Sequence, residues 1–311
     1  MMALVSVVGA TGRQGLAQMR QLAAAGHKVR ALSRSENPDL GGSNVADETR
    51  VIDLSDESTF VPALEGSDAV FYTHPLQSPG DRSELVAKLG SAALEAGLDR
   101  FVWNTSGWIP DQPGEAHTYG DNTGAINALF RTGIPATVFG SVLFMDNLLT
   151  NWARPFIVNE DRYVYAHKPH LQANWISLDD VGKCMTAALS RPDLEGAWMN
   201  IGGPQALKPT EVTEALSRVF GREIKYDPCT PEEFGALLVK ALGDSMAEEE
   251  KQPMRDFIAS FYHYNNDSPT QPFLVNTDYM HRRLPEVEFE TLEQWAARQD
   301  WSDNAHRPSA G

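Results

Sequence analysis

Short apolar runs alternate with longer segments of helical periodicity along the first half of the chain. The strand-like runs are Leu4–Val8, Lys28–Leu32, Arg50–Ile52, Ala69–Tyr72, Arg100–Asn104 and Ala136–Phe139. Helix-length segments lie between most of them, at Arg13–Ala25, Ser83–Ala96 and Asn122–Thr132. Strands that are apolar throughout and alternate with helices are typical of a parallel sheet covered on both faces. The pattern therefore predicts an α/β fold built on a doubly wound parallel sheet.

The alternation stops in the middle of the chain. Asn151–Asn174 is rich in aromatic residues, histidine and proline and has no clear period. A strand-to-helix unit then begins at Trp175, with Ser177 or Asp179 as the N-cap, and the strand Ala197–Ile201 follows. We expect residues 1–150, completed by about 175–203, to form one domain. Residues 151–174 and 204–311 are expected to form a smaller, mostly helical substrate-binding subdomain.

A glycine-rich turn, Gly9-Ala-Thr-Gly12-Arg-Gln-Gly15, joins the first predicted strand to the first predicted helix. A pyrophosphate is bound by backbone N–H groups at a helix N-terminus, and glycine leaves room for it because it has no Cβ. The strand–turn–helix order is that of a Rossmann dinucleotide-binding unit. The turn predicts cofactor contacts by Gly9, Thr11, Gly12, Arg13, Gln14 and Gly15.

The second predicted strand ends in a basic residue, Arg34, where NAD-binding units usually carry an acid on the ribose hydroxyls. An arginine at this place can meet the 2′-phosphate of NADP, and Arg13 could approach the same phosphate from the other side. The alternative is that both are ordinary surface cations. We therefore predict NADP(H) as the cofactor, with NAD(H) as the alternative.

Composition narrows the classes of protein. The 311 residues carry a net charge of −16, from 26 basic and 42 acidic side chains. This balance argues against a nucleic-acid-binding surface, which needs clustered lysine and arginine. No window approaches the roughly 18 apolar residues of a membrane span, and the chain opens directly on a strand. The two cysteines, Cys184 and Cys229, lack metal-ligand spacing, so we expect reduced thiols, no metal site and a cytoplasmic location.

The chain resembles the atypical short-chain dehydrogenase/reductases of the NmrA-like group up to about Tyr226. The resemblance is most specific at Gly9–Gly15, Val29–Arg34, Val51-Ile-Asp53-Leu-Ser-Asp56, Arg100-Phe-Val-Trp-Asn-Thr-Ser106, Phe144-Met-Asp-Asn147 and Trp175–Val181. It implies that Asp53 and Leu54 lie beside the adenine, that Thr73, His74 and Pro75 border the nicotinamide ribose, and that Asn104, Thr105 and Ser106 lie beneath the nicotinamide. Two alternatives remain open. Asp53 is an adenine contact or a turn residue, and His74 is a substrate contact or a side chain hydrogen-bonded to the backbone.

Short-chain reductases resemble one another in a Ser…Tyr-x-x-x-Lys constellation that protonates the substrate. Ser106 and Tyr119 have the family's spacing here, but Thr123 stands where the lysine belongs. Without the lysine, reduction suffers less than oxidation, because reduction needs a proton donor rather than a phenolate. Tyr119 is a candidate acid or a packing residue, His117 is the second candidate donor, and Thr123 is expected at a ribose hydroxyl.

Aromatic and sulfur-containing residues suggest an apolar substrate pocket. The candidates for substrate contact are Trp108, Phe144, Met145, Trp152 and His167, with Tyr163 and Tyr262 as further aromatic surface. Where the family pattern often reads Leu-Arg-Pro-Gly, this chain has Phe139-Gly140-Ser141-Val142. The substrates of better-matched relatives therefore do not transfer.

Two functions follow. The first is an NADPH-dependent oxidoreductase that reduces a small, largely apolar carbonyl, quinone or activated alkene. The second is a non-catalytic NAD(P)-binding redox sensor that acts through a protein partner, which the missing lysine favours. The sequence leaves a homo-oligomer open.

Overall fold

A parallel sheet forms the centre of the protein in a computed structural model that describes residues 2–42, 44–75, 81–110, 119–242 and 246–302. In these residues the sheet has seven strands, in the order β10-β6-β5-β4-β1-β2-β3. They are β1 (Leu4–Val8), β2 (Lys28–Ser33), β3 (Glu48–Val51), β4 (Ala69–Thr73), β5 (Arg100–Asn104), β6 (Ala136–Ser141) and β10 (Ala197–Ile201). All neighbours pair in parallel, so the predicted doubly wound sheet is confirmed.

Helices cover both faces of this sheet. On one face lie α2 (Phe60–Leu64), α3 (Arg82–Glu95) and α4 (Gly120–Arg131), and on the other α1 (Arg13–Ala24), α6 (Leu178–Ala188) and α10 (Thr277–Arg283). The strands are apolar on both sides because each side packs on a helical layer. Ser177 is the N-cap of α6, since its side chain accepts a hydrogen bond from Asp180 N.

A second region has its own apolar core. It contains β7 (Leu143–Phe144), β8 (Arg162–Tyr165), β9 (Ala173–Ile176), β11 (Ala206–Leu207) and β12 (Lys225–Pro228). Its helices are α5 (Arg154–Glu160), α7 (Pro209–Phe220), α8 (Pro231–Leu242), α9 (Glu248–Asp267) and α11 (Leu292–Ala297). The aperiodic stretch Asn151–Asn174 therefore contains regular elements that are too short to show a period.

The segment around α10, near the carboxy terminus, packs on the main sheet. Met280 and Leu284 are fully buried in the core of that sheet, together with the buried Val287. The predicted boundaries between the two domains, which assign residues 204–311 to the smaller subdomain, stay predictions.

Helix α1 packs closely against α6. A Cβ on Gly182 would lie 2.8 Å from Cγ of Gln21, and Arg20 Nη2 lies 2.8 Å from Asp179 Oδ1. These contacts fix the direction of α1 relative to the strand ends. Among the described helices, none combines the length and the apolar character needed to cross a membrane.

Candidate functional site

The N-terminus of α1 lies at the carboxyl end of β1, next to the glycine turn. In the described part of the chain no side chain caps this terminus, and its first turn contains no acidic residue. A Cβ on Gly15 would lie 2.3 Å from the Gly9 carbonyl oxygen and 2.8 Å from Ala10 Cα. Only glycine at position 15 therefore lets the helix start this close to the turn. Uncapped first-turn N–H groups beside this turn fit a pyrophosphate.

The predicted adenine end lies after β2 and β3. Arg34 is exposed directly after β2, and none of the described residues accepts a hydrogen bond from its guanidinium. Asp53 Oδ1 accepts hydrogen bonds from Ser55 N at 2.9 Å and from Ser55 Oγ at 2.7 Å. These bonds, and to a lesser extent the charge of Arg34, lower the pKa of the Asp53 carboxyl. Asp53 Oδ1 thus makes the contacts of a turn residue, with Arg34 nearby, and the adenine contact of Asp53 stays a prediction.

Two other predicted cofactor residues make contacts of their own. Arg13 donates from Nη1 to the Asp146 carbonyl oxygen at 2.9 Å. Its assignment to the 2′-phosphate stays a prediction, which this contact does not support. Leu54 is half-buried against the core of the α3 face.

The strand order places the end of β4 at the switch point of the sheet. β4 lies between β1 and β5, whereas β2 and β3 extend the sheet in the opposite direction. Dinucleotides bind at such reversals, outside the carboxyl ends of the strands. Thr73, at the end of β4, pairs in register with Asn104, at the end of β5. The predicted nicotinamide residues are therefore neighbours.

Hydrogen bonds fix the side chains at the carboxyl end of β4. Thr73 Oγ1 accepts a hydrogen bond from Gln18 Nε2 at 2.8 Å. His74 Nδ1 lies 2.7 Å from the hydroxyl of Tyr72. Burial, with a smaller contribution from the charge of Arg82, lowers the pKa of His74 to about 4. His74 is therefore neutral near pH 7, and Pro75 follows it half-buried.

A polar network connects α1 with the ends of β5 and β6. The Asn104 amide is fully buried and donates from Nδ2 to Gln14 Oε1 at 2.8 Å. Gln14 Nε2 in turn donates to Ser106 Oγ at 2.9 Å, and Ser141 Oγ donates to Asn104 Oδ1 at 2.8 Å. Ser106 has a left-handed backbone, with φ of 57°, which is uncommon for serine. The network therefore holds the Ser106 hydroxyl, on a residue of uncommon backbone conformation, beside the glycine turn.

Tyr119 is a buried residue in this structure. Its side chain is 4% exposed, and its hydroxyl donates to Asn265 Oδ1 at 2.8 Å. Its ring packs on Trp108, Phe261 and Tyr264. Burial raises the pKa of the phenol well above its usual value. The geometry favours the packing role for Tyr119 over the acid role.

The other members of the predicted constellation do not assemble around Tyr119. Thr123 lies half-buried on α4, one turn after Tyr119. His117 falls outside the described residues. The structure thus brings Ser106 to the groove, but shows no hydrogen bond from it to the predicted acid among the residues it describes.

Most of the predicted substrate residues lie in apolar cores, and their contact with a substrate stays a prediction. Trp108, Met145 and His167 are buried, and Phe144 and Trp152 are half-buried. His167 lies 4.3 Å from Tyr165 between ring centroids, and burial lowers its pKa to about 3. Trp152 also packs on Tyr165, whereas Trp108 packs on Tyr119. The five residues therefore form no single pocket.

The model of the NmrA-like family matches residues 1–295. The chain belongs to the NmrA-like family. An NAD(P)H azoreductase of Xenophilus azovorans is 31% identical over 265 residues, which are 82% of this chain and 89% of that one. A (4-alkanoyl-5-oxo-2,5-dihydrofuran-3-yl)methyl phosphate reductase of Streptomyces griseus is 30% identical over 228 residues, 72% and 76% of the two chains.

Solved structures of other proteins have the same fold. The triphenylmethane reductase of Citrobacter sp., complexed with NADP(H), superposes with a TM-score of 0.72 at 19% identity, over 94% of this chain and 98% of that one. NmrA, a negative transcriptional regulator, in complex with NAD, gives a TM-score of 0.68 at 18% identity over 96% and 99%. The predicted Rossmann-type fold is confirmed.

Several residues of the site escaped the sequence-based reasoning. Ser141 lies in the segment that departs from the NmrA-like pattern, and its hydrogen bond to Asn104 could not be read from spacing. Asn265 lies 146 positions from Tyr119 and carries no local signal. Tyr72 did carry a local signal, because residues two apart in extended chain lie on the same side, and His74 follows Tyr72 by two positions at the end of β4.

Proposed function

We propose that this NmrA-like protein is an NADPH-dependent reductase of a small, largely apolar carbonyl, quinone or activated alkene. One observation carries the proposal: the Gln14–Asn104–Ser106 network holds a serine hydroxyl at the end of β5, beside an uncapped helix N-terminus at the switch point. Reductases among its relatives, named for NAD(P)H or solved with NADP(H), support it.

The chain's own residues would hold the cofactor in one orientation. The first turn of α1 and the Gly9–Gly15 turn would bind the pyrophosphate. Arg34 would pair with the 2′-phosphate, and Asp53 would face the adenine amino group. Thr73 and Thr123 would border the nicotinamide ribose. These four side chains come from the ends of β2, β3 and β4 and from α4.

The bound nicotinamide would supply a hydride, and the protein would stabilise the charge that then develops on the substrate. Because Ser106 Oγ accepts from Gln14 Nε2, its own proton remains available for a substrate oxygen. The competing bond, from Ser106 Oγ to Gln14 Oε1, is longer at 3.3 Å. A donor fixed in this way stabilises the developing negative charge more than water does, because it does not reorganise during the reaction.

An apolar surface next to this end of the groove favours an apolar substrate. Trp108, Tyr119 and Val142 form a small cluster that packs on Phe261 and Tyr264 of α9. Phe257, one turn earlier on α9, is 58% exposed. A large exposed aromatic residue on the helix that carries the half-buried Phe261 and Tyr264 is suited to binding a flat organic molecule.

The test is turnover by the purified protein. NADPH is mixed with quinones, aldehydes, enones, an azo dye and a triphenylmethane dye, and the absorbance of the reduced nicotinamide is followed. We expect cofactor oxidation with at least one compound, and its loss in Ser106→Ala. If the protein binds NADPH but no compound in the panel is reduced, the reductase proposal is wrong.

Burial of Tyr119 favours a second candidate, the non-catalytic redox sensor. The Tyr119 hydroxyl donates to Asn265, and Thr123 stands where short-chain reductases have lysine. This arrangement therefore lacks the tyrosine–lysine pair that transfers a proton in those enzymes. NmrA, solved with NAD and described as a transcriptional regulator, has the same fold. Under this alternative, NADPH and NADP would bind with different affinities and change the binding of a protein partner, without turnover.

A further inference from the structure

Tyr72 and His74 form a pair at the switch point that the proposed mechanism has not used. Tyr72 lies in β4, its side chain is fully buried, and its ring packs on Phe101 and Trp103 of β5. Its hydroxyl reaches His74 Nδ1 at 2.7 Å. A phenol anchored in the core thus contacts a half-buried imidazole in the cofactor groove.

The direction of this hydrogen bond follows from burial. Among the described residues, His74 Nδ1 is the one hydrogen-bond partner of the Tyr72 hydroxyl. A buried hydroxyl proton is satisfied only if the hydroxyl donates, so Nδ1 must accept. A neutral imidazole that accepts at Nδ1 carries its proton at Nε2. The low pKa of His74, about 4, keeps the ring neutral near pH 7.

The position of His74 puts this N–H group near the predicted reaction. Thr73 pairs with Asn104 across β4 and β5, and His74 and Ser106 follow one and two residues later. Nδ1 faces the buried phenol and the ring is half-buried, so the edge that carries Nε2 points away from Tyr72. The Nε2–H group and the Ser106 hydroxyl therefore flank the same end of the groove.

We propose that Tyr72 holds His74 as the Nε2–H tautomer, and that this N–H is a second donor to the substrate oxygen that becomes negative during reduction. The inference rests on the proposed reductase function. The hydride would leave the C4–H bond of the reduced nicotinamide, which is thereby oxidised, and would form the new C–H bond of the substrate, while the pair of the broken π bond would move to oxygen. His74 and Ser106 hydrogen-bond that oxygen, and water then supplies its proton, so the imidazole stays neutral. His74 is the catalytic donor and Tyr72 a positioning residue.

Nitrogen-15 NMR of histidine-labelled protein tests the tautomer without any substrate. The signal of His74, assigned by its absence in His74→Gln, is expected to have the Nε2–H pattern at pH 7. Tyr72→Phe, which removes only the hydroxyl, should shift it toward a tautomer mixture. An Nδ1–H pattern in the wild type, or an unchanged pattern in a folded Tyr72→Phe protein, would overturn the inference.

Kinetics with matched amide variants test the donor. The Gln side chain at position 74 places its amide N–H near the Nε2 position, whereas the shorter Asn amide lies near the Nδ1 position. We expect His74→Gln to keep most of kcat and His74→Asn to lose roughly 10- to 100-fold, with equal NADPH affinities in the two variants. Tyr72→Phe should lower kcat several-fold without changing the NADPH Kd.

The outcomes separate this inference from the function it rests on. Equal kcat values for the Gln and Asn variants, or losses confined to NADPH affinity, would show that His74 is not a donor to substrate. Absence of turnover with every compound would overturn the reductase proposal and the catalytic part of this inference together. The NMR result would then still decide whether the tautomer assigned to His74 is correct.

Discussion

The phosphate half of the groove (Gly9–Gly15, Arg34 and Asp53) and the nicotinamide half (Thr73–Pro75 and Asn104–Ser106) are assembled differently. The first rests on one turn, one helix start and two strand ends. The second depends on contacts between distant residues: Gln14 and Ser106 are 92 positions apart, and Asn104 and Ser141 are 37 apart. The proposed phosphate contacts therefore depend on local sequence, whereas the proposed chemistry depends on tertiary packing.

The two halves also differ in what holds them. Uncapped backbone N–H groups and the exposed Arg34 contribute to the phosphate half, so these groups are open to a ligand. Hydrogen bonds among buried and half-buried side chains form the nicotinamide half, which fixes Ser106 before any substrate arrives. Variants of the first half should change affinity, and variants of the second should change rate.

The largest effect is expected from Gly15→Ala. Its Cβ would lie 2.3 Å from the Gly9 carbonyl oxygen, so the turn and α1 must separate. Overpacking of this kind costs about 1–3 kcal/mol, and both thermal stability and NADPH affinity should fall. Fluorescence titration and thermal denaturation measure the two.

Gly12→Ala is the matched control. Its Cβ would lie 3.4 Å from the same oxygen, an ordinary contact. NADPH affinity should fall here while thermal stability is kept. Equal stability of the two variants would mean that Gly15 does not fix the helix start.

Ser106→Ala should show that the nicotinamide half sets the rate. Removing the hydroxyl takes away a donor to the developing oxyanion, and we expect kcat to fall by roughly 100-fold. The NADPH Kd should be unchanged, because the pyrophosphate contacts lie on α1. Steady-state kinetics and cofactor titration give both values.

Ser141→Ala provides the comparison within the same network. Ser141 donates to Asn104 but is fully buried. Its loss should lower stability more than kcat. If Ser106→Ala and Ser141→Ala reduce kcat equally, the network only supports the fold.

Arg34→Ala should weaken NADPH binding far more than NADH binding. A charge-assisted hydrogen bond to phosphate contributes about 1.5–3 kcal/mol, which corresponds to roughly 10- to 100-fold in Kd. Lys28→Ala, an exposed cation at the other end of β2, should leave both affinities unchanged. Equal losses of NADPH and NADH affinity in Arg34→Ala would refute the 2′-phosphate contact.

The smallest effect on rate is expected from Tyr119→Phe. The variant removes the hydrogen bond to Asn265 and should lower the free energy of unfolding by about 1 kcal/mol, with little change in kcat. Because burial raises the pKa of Tyr119, its ionisation should not appear in the pH–rate profile below about pH 10. Loss of turnover in a folded Tyr119→Phe protein would restore Tyr119 as the acid.

Local signals were enough to predict the glycine turn, the strands up to β6 and Ser177 as one of two N-cap candidates, and the structure has all of them. Aromatic residues carry no comparable local signal. Trp108 and His167 have the composition of a pocket but lie buried, because the same side chains that bind flat ligands also fill cores.

The sequence by itself determined the parallel sheet, the helix start that can bind a pyrophosphate and the basic residue after β2. Each depends on periodicity or on residues a few positions apart, so the chain needs no distant partner to specify them. Only the tertiary structure decided that Tyr119 donates to Asn265, that Gln14 holds Ser106 and that the Tyr72 hydroxyl meets His74. The reason is physical: a side chain's proton, pKa and exposure depend on which groups surround it, and packing brings those groups from distant parts of the chain.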